Sequence, residues 1–367
     1  MAARKTTKPA VKQAAPKSVA ARKRAVLRDV DEGSDEFVEP SYFSAGDSKT
    51  NIEFISTGCT ILDEALGGGV AEGRVLNVVG DSSTGKTLLA MEIAANFALK
   101  HAEGLVRYAE AELAFDDDYA EAMGMDLSRV ERNSGSRLVG TVEQWHDDLV
   151  DFMKRLKGRP GLYILDSLDA ISDDDEVKAE FGEASYGGKK PKLISQLFRR
   201  TINDLHAANV TLMIVSQTRD KIGVTFGPTK TRSGGKALEF YSSQIVWLAH
   251  VGKMDKTIDG IKRVIGHEVR AKVSKNKCGL AHRTVDYPVL YGYGIDDMMA
   301  GVTWLIENKC DEALEELELT KAGAKTSVAA MRNKPERARE FRPKMRKIVR
   351  REWARIENLF LPKARKY

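Results

Sequence analysis

The short aliphatic run Val75–Gly80 stops at a glycine, and a helical stretch, Leu88–Leu99, begins a few residues later. Between them stand Gly80-Asp81-Ser82-Ser83-Thr84-Gly85-Lys86-Thr87, which fit the pattern GxxxxGK[ST]. The two glycines let the backbone fold so that successive N–H groups point at a common centre, and the helix N-terminus adds positive potential there. Phosphate oxygens fit such a cradle. Lys86 is placed to reach the β- and γ-phosphates of a nucleoside triphosphate, and the Thr87 hydroxyl to ligate Mg²⁺. A strand feeding a helix through this loop constrains the chain more than any other feature.

The surrounding texture agrees. Val75–Gly80, Leu105–Glu110, Leu162–Ser167 and Thr211–Ser216 read as strands, and Leu88–Leu99, Val142–Leu156 and Leu193–Ala207 as helices between them. In the last helix Leu197, Phe198, Thr201, Ile202 and Leu205 share one face. Such alternation predicts an α/β fold, a mostly parallel sheet covered by helices on both faces. Gln244–Val251, Val269–Asn276 and Arg283–Gly292 lack long helices between them and read as antiparallel additions to one edge. After Gly294 the pattern turns helical and, beyond Met331, basic.

Charge is unevenly spread over the 367 residues. Residues 1–27 hold eight Lys or Arg and no acid, and residues 331–367 hold fourteen basic and four acidic side chains. With a total of +5, the middle carries a net of −13. An acidic body with two basic ends suits a polyanionic partner, though basic tails also serve solubility alone. No stretch approaches ~18 uncharged apolar residues. No apolar core follows Arg4, Lys5 and Lys8, which argues against a secretory signal. Cys59, Cys278 and Cys310 are scattered and odd in number, fitting a reducing cytoplasm better than a disulfide framework or a zinc site. Composition divides the chain into a basic arm rich in Ala, Lys and Pro (1–51), a core (52–296) and a small basic C-terminal domain (297–367).

Three further positions bear on phosphate chemistry. Asp166 ends the apolar run Leu162-Tyr163-Ile164-Leu165, where a carboxylate can hold Mg²⁺ through water or merely cap the next turn. Hydrolysis needs a group that orients and deprotonates a water, and Glu110, Glu112 and Asp116 cluster after one strand. Position alone leaves the choice among them open. Gln217 ends the run Thr211–Ser216, where a neutral amide near phosphates could sense the γ-phosphate. Directly after it, Arg219, Lys221, Lys230, Arg232 and Lys236 stand among Gly223, Gly227, Gly234 and Gly235. This is a long basic loop, of a length that is usually functional or disordered, though an ordinary surface loop would read the same way.

The order of these segments resembles the RecA family of DNA strand-exchange proteins. The likeness runs from Ile55-Ser56-Thr57-Gly58 and Leu62-Asp63-Glu64-Ala65-Leu66-Gly67 through the P-loop to Ala109-Glu110-Ala111-Glu112. It continues in Leu165-Asp166-Ser167, Gln217 to Val224 and Gly234 to Tyr241. Lys272 to Lys277 and Leu290 to Ile295 close it, so that it spans about residues 52–296. A weaker likeness continues in Asn333-Lys334-Pro335-Glu336-Arg337-Ala338.

The resemblance implies an ATP- and Mg²⁺-dependent DNA-stimulated ATPase that forms helical filaments of itself on single-stranded DNA and pairs it with duplex DNA. It implies that Glu112 is the catalytic glutamate and that Asp116, Tyr119 and Tyr291 surround the adenine. Gln217 would couple the γ-phosphate to the second DNA-binding loop, and Lys275 and Lys277 would reach a neighbouring subunit's ATP. A first DNA-binding loop would lie near Phe181–Lys192, with Lys189, Lys190 and Lys192 as its cations. Single-strand-binding and loading proteins would be its partners in the cytoplasm. Phe37–Phe43 is the candidate subunit-docking segment. Gly187 and Lys189 stand where cellular members tend to be apolar, the arm is long and basic, and the C-terminus is basic rather than acidic. These departures suit a bacteriophage-encoded member. Two other readings share the same motifs: a ring-forming helicase or branch-migration motor, and an annealing or loading factor that uses ATP as a clamp.

Overall fold

A computed structural model describes residues 52–112, 115–122, 125–132, 139–179, 189–220, 230–232 and 234–363. The arm with Phe37–Phe43, the first-loop residues 181–188, and Lys221, Gly223 and Gly227 of the second loop lie outside the described residues.

The strands are β1 (Phe54–Ile55), β2 (Val70–Ala71), β3 (Val75–Gly80), β4 (Leu105–Glu110), β5 (Val130–Arg132), β6 (Gly161–Asp166), β7 (Val210–Asp220), β8 (Lys230–Arg232), β9 (Gln244–Ile258), β10 (Ile261–Asn276), β11 (Thr284–Leu290) and β12 (Gly294–Ile295). β1 and β2 pair antiparallel with each other. The others form one sheet in the order β12-β11-β10-β9-β3-β7-β6-β4-β5, with β8 paired to the far end of β7. From β9 to β5 neighbours run parallel, whereas β10, β11 and β12 add antiparallel. This is the α/β architecture expected from the alternation, with its antiparallel edge.

The central strands are buried on both faces, and their side chains alternate between two apolar layers. Leu76, Val78, Val106, Tyr108, Leu162, Ile164, Met213 and Val215 join one layer, together with Leu89, Ile93 and Phe97 of the helix Lys86–Lys100. Val75, Tyr163, Leu165, Leu212 and Ile214 face the other, where the helices Val142–Leu156 and Lys189–Ala207 contribute Trp145, Phe152, Leu197 and Phe198. Thr141 caps the first of these helices by accepting the Gln144 N–H at 3.2 Å. Trp145 and Phe198 meet edge to face, with centroids 6.2 Å apart. Truncating a ring so buried costs about 3–5 kcal/mol.

One difference from the sequence reading has a physical cause. β9 and β10 run on past Val251 and begin well before Val269, meeting at Asp259-Gly260, both in the left-handed region. Residues 251–264 have no buried face to give them an apolar period of two, so only backbone pairing marks them as strand. The helix Asp297–Glu307 and the 26-residue helix Pro335–Phe360 share the first apolar layer through Met298, Val302, Leu305, Phe341, Met345, Ile348 and Val349. Asp297 fastens this region to the core. Its carboxylate accepts the Thr60 N–H at 2.6 Å, at the start of the helix Thr60–Ala65, and Arg346 Nε at 2.8 Å.

Candidate functional site

Parallel register brings the chemistry to one line along the carboxyl ends of the strands. Gly80 of β3 stands opposite Gln217 of β7, and Glu110 of β4 opposite Asp166 of β6. The loop Gly80–Thr87 leaves β3 and opens directly into the helix Lys86–Lys100. Only glycine fits at 80, where a Cβ would lie 2.5 Å from Thr84 Oγ1 and 2.9 Å from the Leu248 carbonyl oxygen. Gly85 takes φ +83° and serves as the helix N-cap. Lys86 is buried and donates to the Asp81 carbonyl at 2.7 Å. Burial lowers its pKa, while Asp166, Glu112, Asp81 and Asp169 act against that shift.

Asp166 accepts the Tyr108 hydroxyl at 2.8 Å and a hydrogen bond from Thr87. Burial nevertheless raises its pKa, with Glu112 adding to the rise. A cation beside Thr87 and Asp166 would relieve that buried carboxylate, so this donor pair suits Mg²⁺. Among the described residues no three His, Cys, Asp or Glu side chains converge into a metal cage.

The three acids left open after β4 differ in what they face. Glu110 accepts the Phe115 N–H, and Asp116 accepts the Tyr119 N–H at 2.9 Å at the start of the helix Asp117–Ala122. Glu112 Oε1 instead accepts the Ser167 hydroxyl and, at 2.8 Å, the amide of Gln217. Its carboxylate is thus drawn toward the ends of β6 and β7. The Gln217 N–H is held by Asp169 at 2.7 Å, and the Thr218 hydroxyl bonds to Asp81 of the loop. Tyr119 is half-buried on the first apolar layer. Tyr291 is exposed, with its ring centroid 6.0 Å from that of His267.

The family model for the RecA N-terminal domain matches residues 25–296. The chain belongs to the RecA family. Protein RecA of Streptomyces ambofaciens is 34% identical over 252 residues, 68% of this chain and 63% of that protein. Protein RecA of Leifsonia xyli subsp. xyli is 31% identical over 283 residues, covering 76% and 75% of the two chains. Protein RecA of Rubrobacter xylanophilus is 33% identical over 265 residues, covering 71% and 72%. The match spans a little under two thirds of the length of the Streptomyces relatives.

In this RecA-family chain several expected DNA-facing cations are turned toward protein. Lys190 donates to the Leu168 carbonyl at 2.8 Å and to that of Ile171, and Lys189 pairs with Asp175. Arg232 is buried and donates to Asn77 Oδ1 at 2.8 Å and to Glu239 at 2.6 Å. Asn77 in turn donates to Ser216 Oγ and to the Ile214 carbonyl, so Arg232 is wired to β3 and β7 rather than to solvent. Lys192 and Lys236 are exposed, and Gly234 and Gly235 form the left-handed entry to the helix Gly235–Tyr241. In the β7–β8 ladder Arg219 pairs with Thr231 and Lys230 with Asp220. Lys275 donates to the carbonyls of Glu239 and Phe240, the latter at 3.1 Å, and Lys277 is exposed beside it. Burial and then Lys277 lower the Lys275 pKa.

Sequence reading assigned no role to Tyr108, Asp169, Thr218 or His267. Asp169 and Thr218 lie within three residues of Asp166 and Gln217. Proximity to a strand end was the one signal available for them. The three cysteines are free and buried. No helix among the described residues is long and apolar enough to cross a membrane.

Proposed function

We propose that this chain is an ATP-dependent DNA recombinase that assembles on single-stranded DNA as a helical filament and pairs it with homologous duplex. The observation that carries the reading is the Gln217–Glu112 hydrogen bond beside Lys86. It links a candidate base to the first residues of the basic segment 218–236. The loop N–H groups and Lys86 bind the phosphates, while Thr87 and Asp166 hold Mg²⁺, which supplies neutralisation of the phosphate oxygens. Glu112 takes the proton of the attacking water. With a γ-phosphate present the Gln217 amide exchanges Glu112 for that phosphate, and the shift in β7 sets the second loop. Asp116, Tyr119 and Tyr291 bound the adenine. Lys275 and Lys277 serve a neighbour's nucleotide. The arm (1–51), core (52–296) and C-terminal part (297–367) carry different functions, the last while packed on the core through Met298, Phe341 and Met345. Arg219, Lys221, Lys230, Lys236 and Lys192 meet DNA, Lys189 joins them once its ion pair with Asp175 is exchanged for a phosphate, and the place of work is the cytoplasm. A bacteriophage source fits the basic ends.

ATP turnover with and without single-stranded DNA, measured alongside joint-molecule formation, tests the reading. DNA-stimulated turnover with joint molecules supports it. Turnover with unwinding alone would favour a helicase or branch-migration motor, and annealing alone a loading or annealing factor.

A further inference from the structure

We propose that His267 contacts the nucleotide, its Nε2–H donating to a phosphate oxygen held at the loop Gly80–Thr87. The proposal rests on the reading of that loop as a nucleotide site. His267 lies on β10 opposite Lys253 of β9 and Val289 of β11. The residue is 8% exposed, yet Nε2 is buried and has no hydrogen-bond partner among the described residues. A buried ring nitrogen without a partner is uncommon and points to a group that belongs there.

Position says where that group sits. A Cβ built on Gly85 would lie 3.9 Å from His267 Nε2, so the orphan nitrogen faces the last glycine of the loop. β9 runs beside β3 as far as the pair Gly80–Leu248, two residues before His250, which carries the base of the β9–β10 ribbon past the loop. There the His250 ring stacks on His267 with centroids 5.3 Å apart and an 18° interplanar angle, and Tyr291 lies beyond at 6.0 Å. The stack fixes the plane of the imidazole while leaving its Nε2 edge toward Gly85.

Chemistry says what it is. The loop presents N–H groups, a helix N-terminus and Lys86, a setting that repels a cation and attracts an anionic oxygen. Burial and the neighbouring His250 lower the His267 pKa, which favours the neutral ring, and its Nε2–H tautomer places one donor on the edge toward Gly85. A neutral donor serves a phosphate without adding charge beside Lys86 when the site is empty.

The test uses the full chain and calorimetric titration with ATP, ADP and adenosine. His267→Ala is expected to weaken ATP and ADP binding about tenfold or more, as loss of a hydrogen bond to a charged group does, and to leave adenosine unchanged. Equal ATP affinity in variant and wild type would overturn the proposal, as would equal losses for ATP and adenosine. If His267→Ala does not fold, the ¹⁵N signal of Nε2 in the wild-type chain decides. It moves on addition of ADP under the proposal and stays in place otherwise. Lys86→Ala separates the two levels. If it loses ATP while His267→Ala does not, the loop reading stands and this inference falls, whereas a wild type that binds no nucleotide overturns both.

Discussion

The Gln217 side-chain amide donates to Glu112 Oε1 at 2.8 Å, joining the ends of two strands that are 105 residues apart in the chain. The same carboxylate oxygen receives the Ser167 hydroxyl. One acid thus senses two strand ends, and Gln217 is the only one of these groups that begins a basic segment.

Glu112→Gln retains the shape of this contact and cannot accept a proton. ATP affinity should stay near that of the parent, and DNA-stimulated turnover should fall roughly 10²–10⁴-fold. Gln217→Ala should retain basal turnover but remove the difference in single-strand affinity between the ATP-bound and ADP-bound states. Parent-like turnover in Glu112→Gln would show that another group is the base.

Lys275 and Lys277 stand at the end of β10, and Lys275 reaches back to the carbonyls of its own helix Gly235–Tyr241. Replacing both with Ala should leave nucleotide binding by dilute protein intact and remove the DNA-stimulated rate. Mixing this variant with Lys86→Ala should restore part of the rate, because one chain brings the loop and the other the lysines. Absence of rescue at every mixing ratio would count against action on a neighbour's nucleotide.

The basic C-terminal helix is less free than its charge suggests. Arg346 pairs with Asp297, Arg350 with Glu64, Arg351 with Glu316 and Arg355 with Glu352. Arg337, Arg339 and Lys347 are exposed and make no ion pair among the described residues. Truncation after Met331 would take Phe341, Met345, Ile348 and Val349 out of the core, so side-chain replacement is the cleaner probe. Changing Arg337, Arg339 and Lys347 to Ala should weaken duplex capture and flatten its salt slope by about 0.9 per lost phosphate contact. ATP-dependent single-strand binding should persist. An unchanged duplex salt titration would make these charges a solubility feature.

Glu92 lies inside the helix Lys86–Lys100 and accepts the Ile295 N–H at 3.2 Å. Burial raises its pKa to about 7, against the effect of that hydrogen bond. The folded value lies above the unfolded one, so the native state favours the protonated carboxyl. The stability it contributes is full below pH ~4.5 and is lost as pH rises through about 7. Glu92→Gln should therefore gain on the parent between pH 5 and 8, by at most about 3 kcal/mol in denaturant unfolding. Parallel pH profiles for the two proteins would contradict this.

The sheet was legible because its parallel strands are buried on both faces and end in recognisable groups, from Gly80 to Asp166 and Gln217. The ribbon formed by residues 251–264 was not, since exposure on both faces leaves no apolar period. Glu112 could not be separated from Glu110 and Asp116 by position, because what distinguishes them is which backbone N–H the other two cap. Arg232 illustrates the opposite limit. A cation in a glycine-rich basic loop reads as surface, yet Asn77, a polar residue inside an apolar strand, supplies a buried partner 155 positions away. His267 carries no motif at all, and only the ring stack and the orphaned nitrogen single it out.

The most direct test of the account follows circular single-stranded DNA and homologous linear duplex through joint molecules to exchanged product, with ATP and Mg²⁺. The wild-type chain should form product, Lys86→Ala should form none, and Glu112→Gln should form joint molecules while hydrolysing little ATP. Wild-type protein that anneals complementary single strands but yields no joint molecule with duplex, or that yields the same product without ATP, would contradict it.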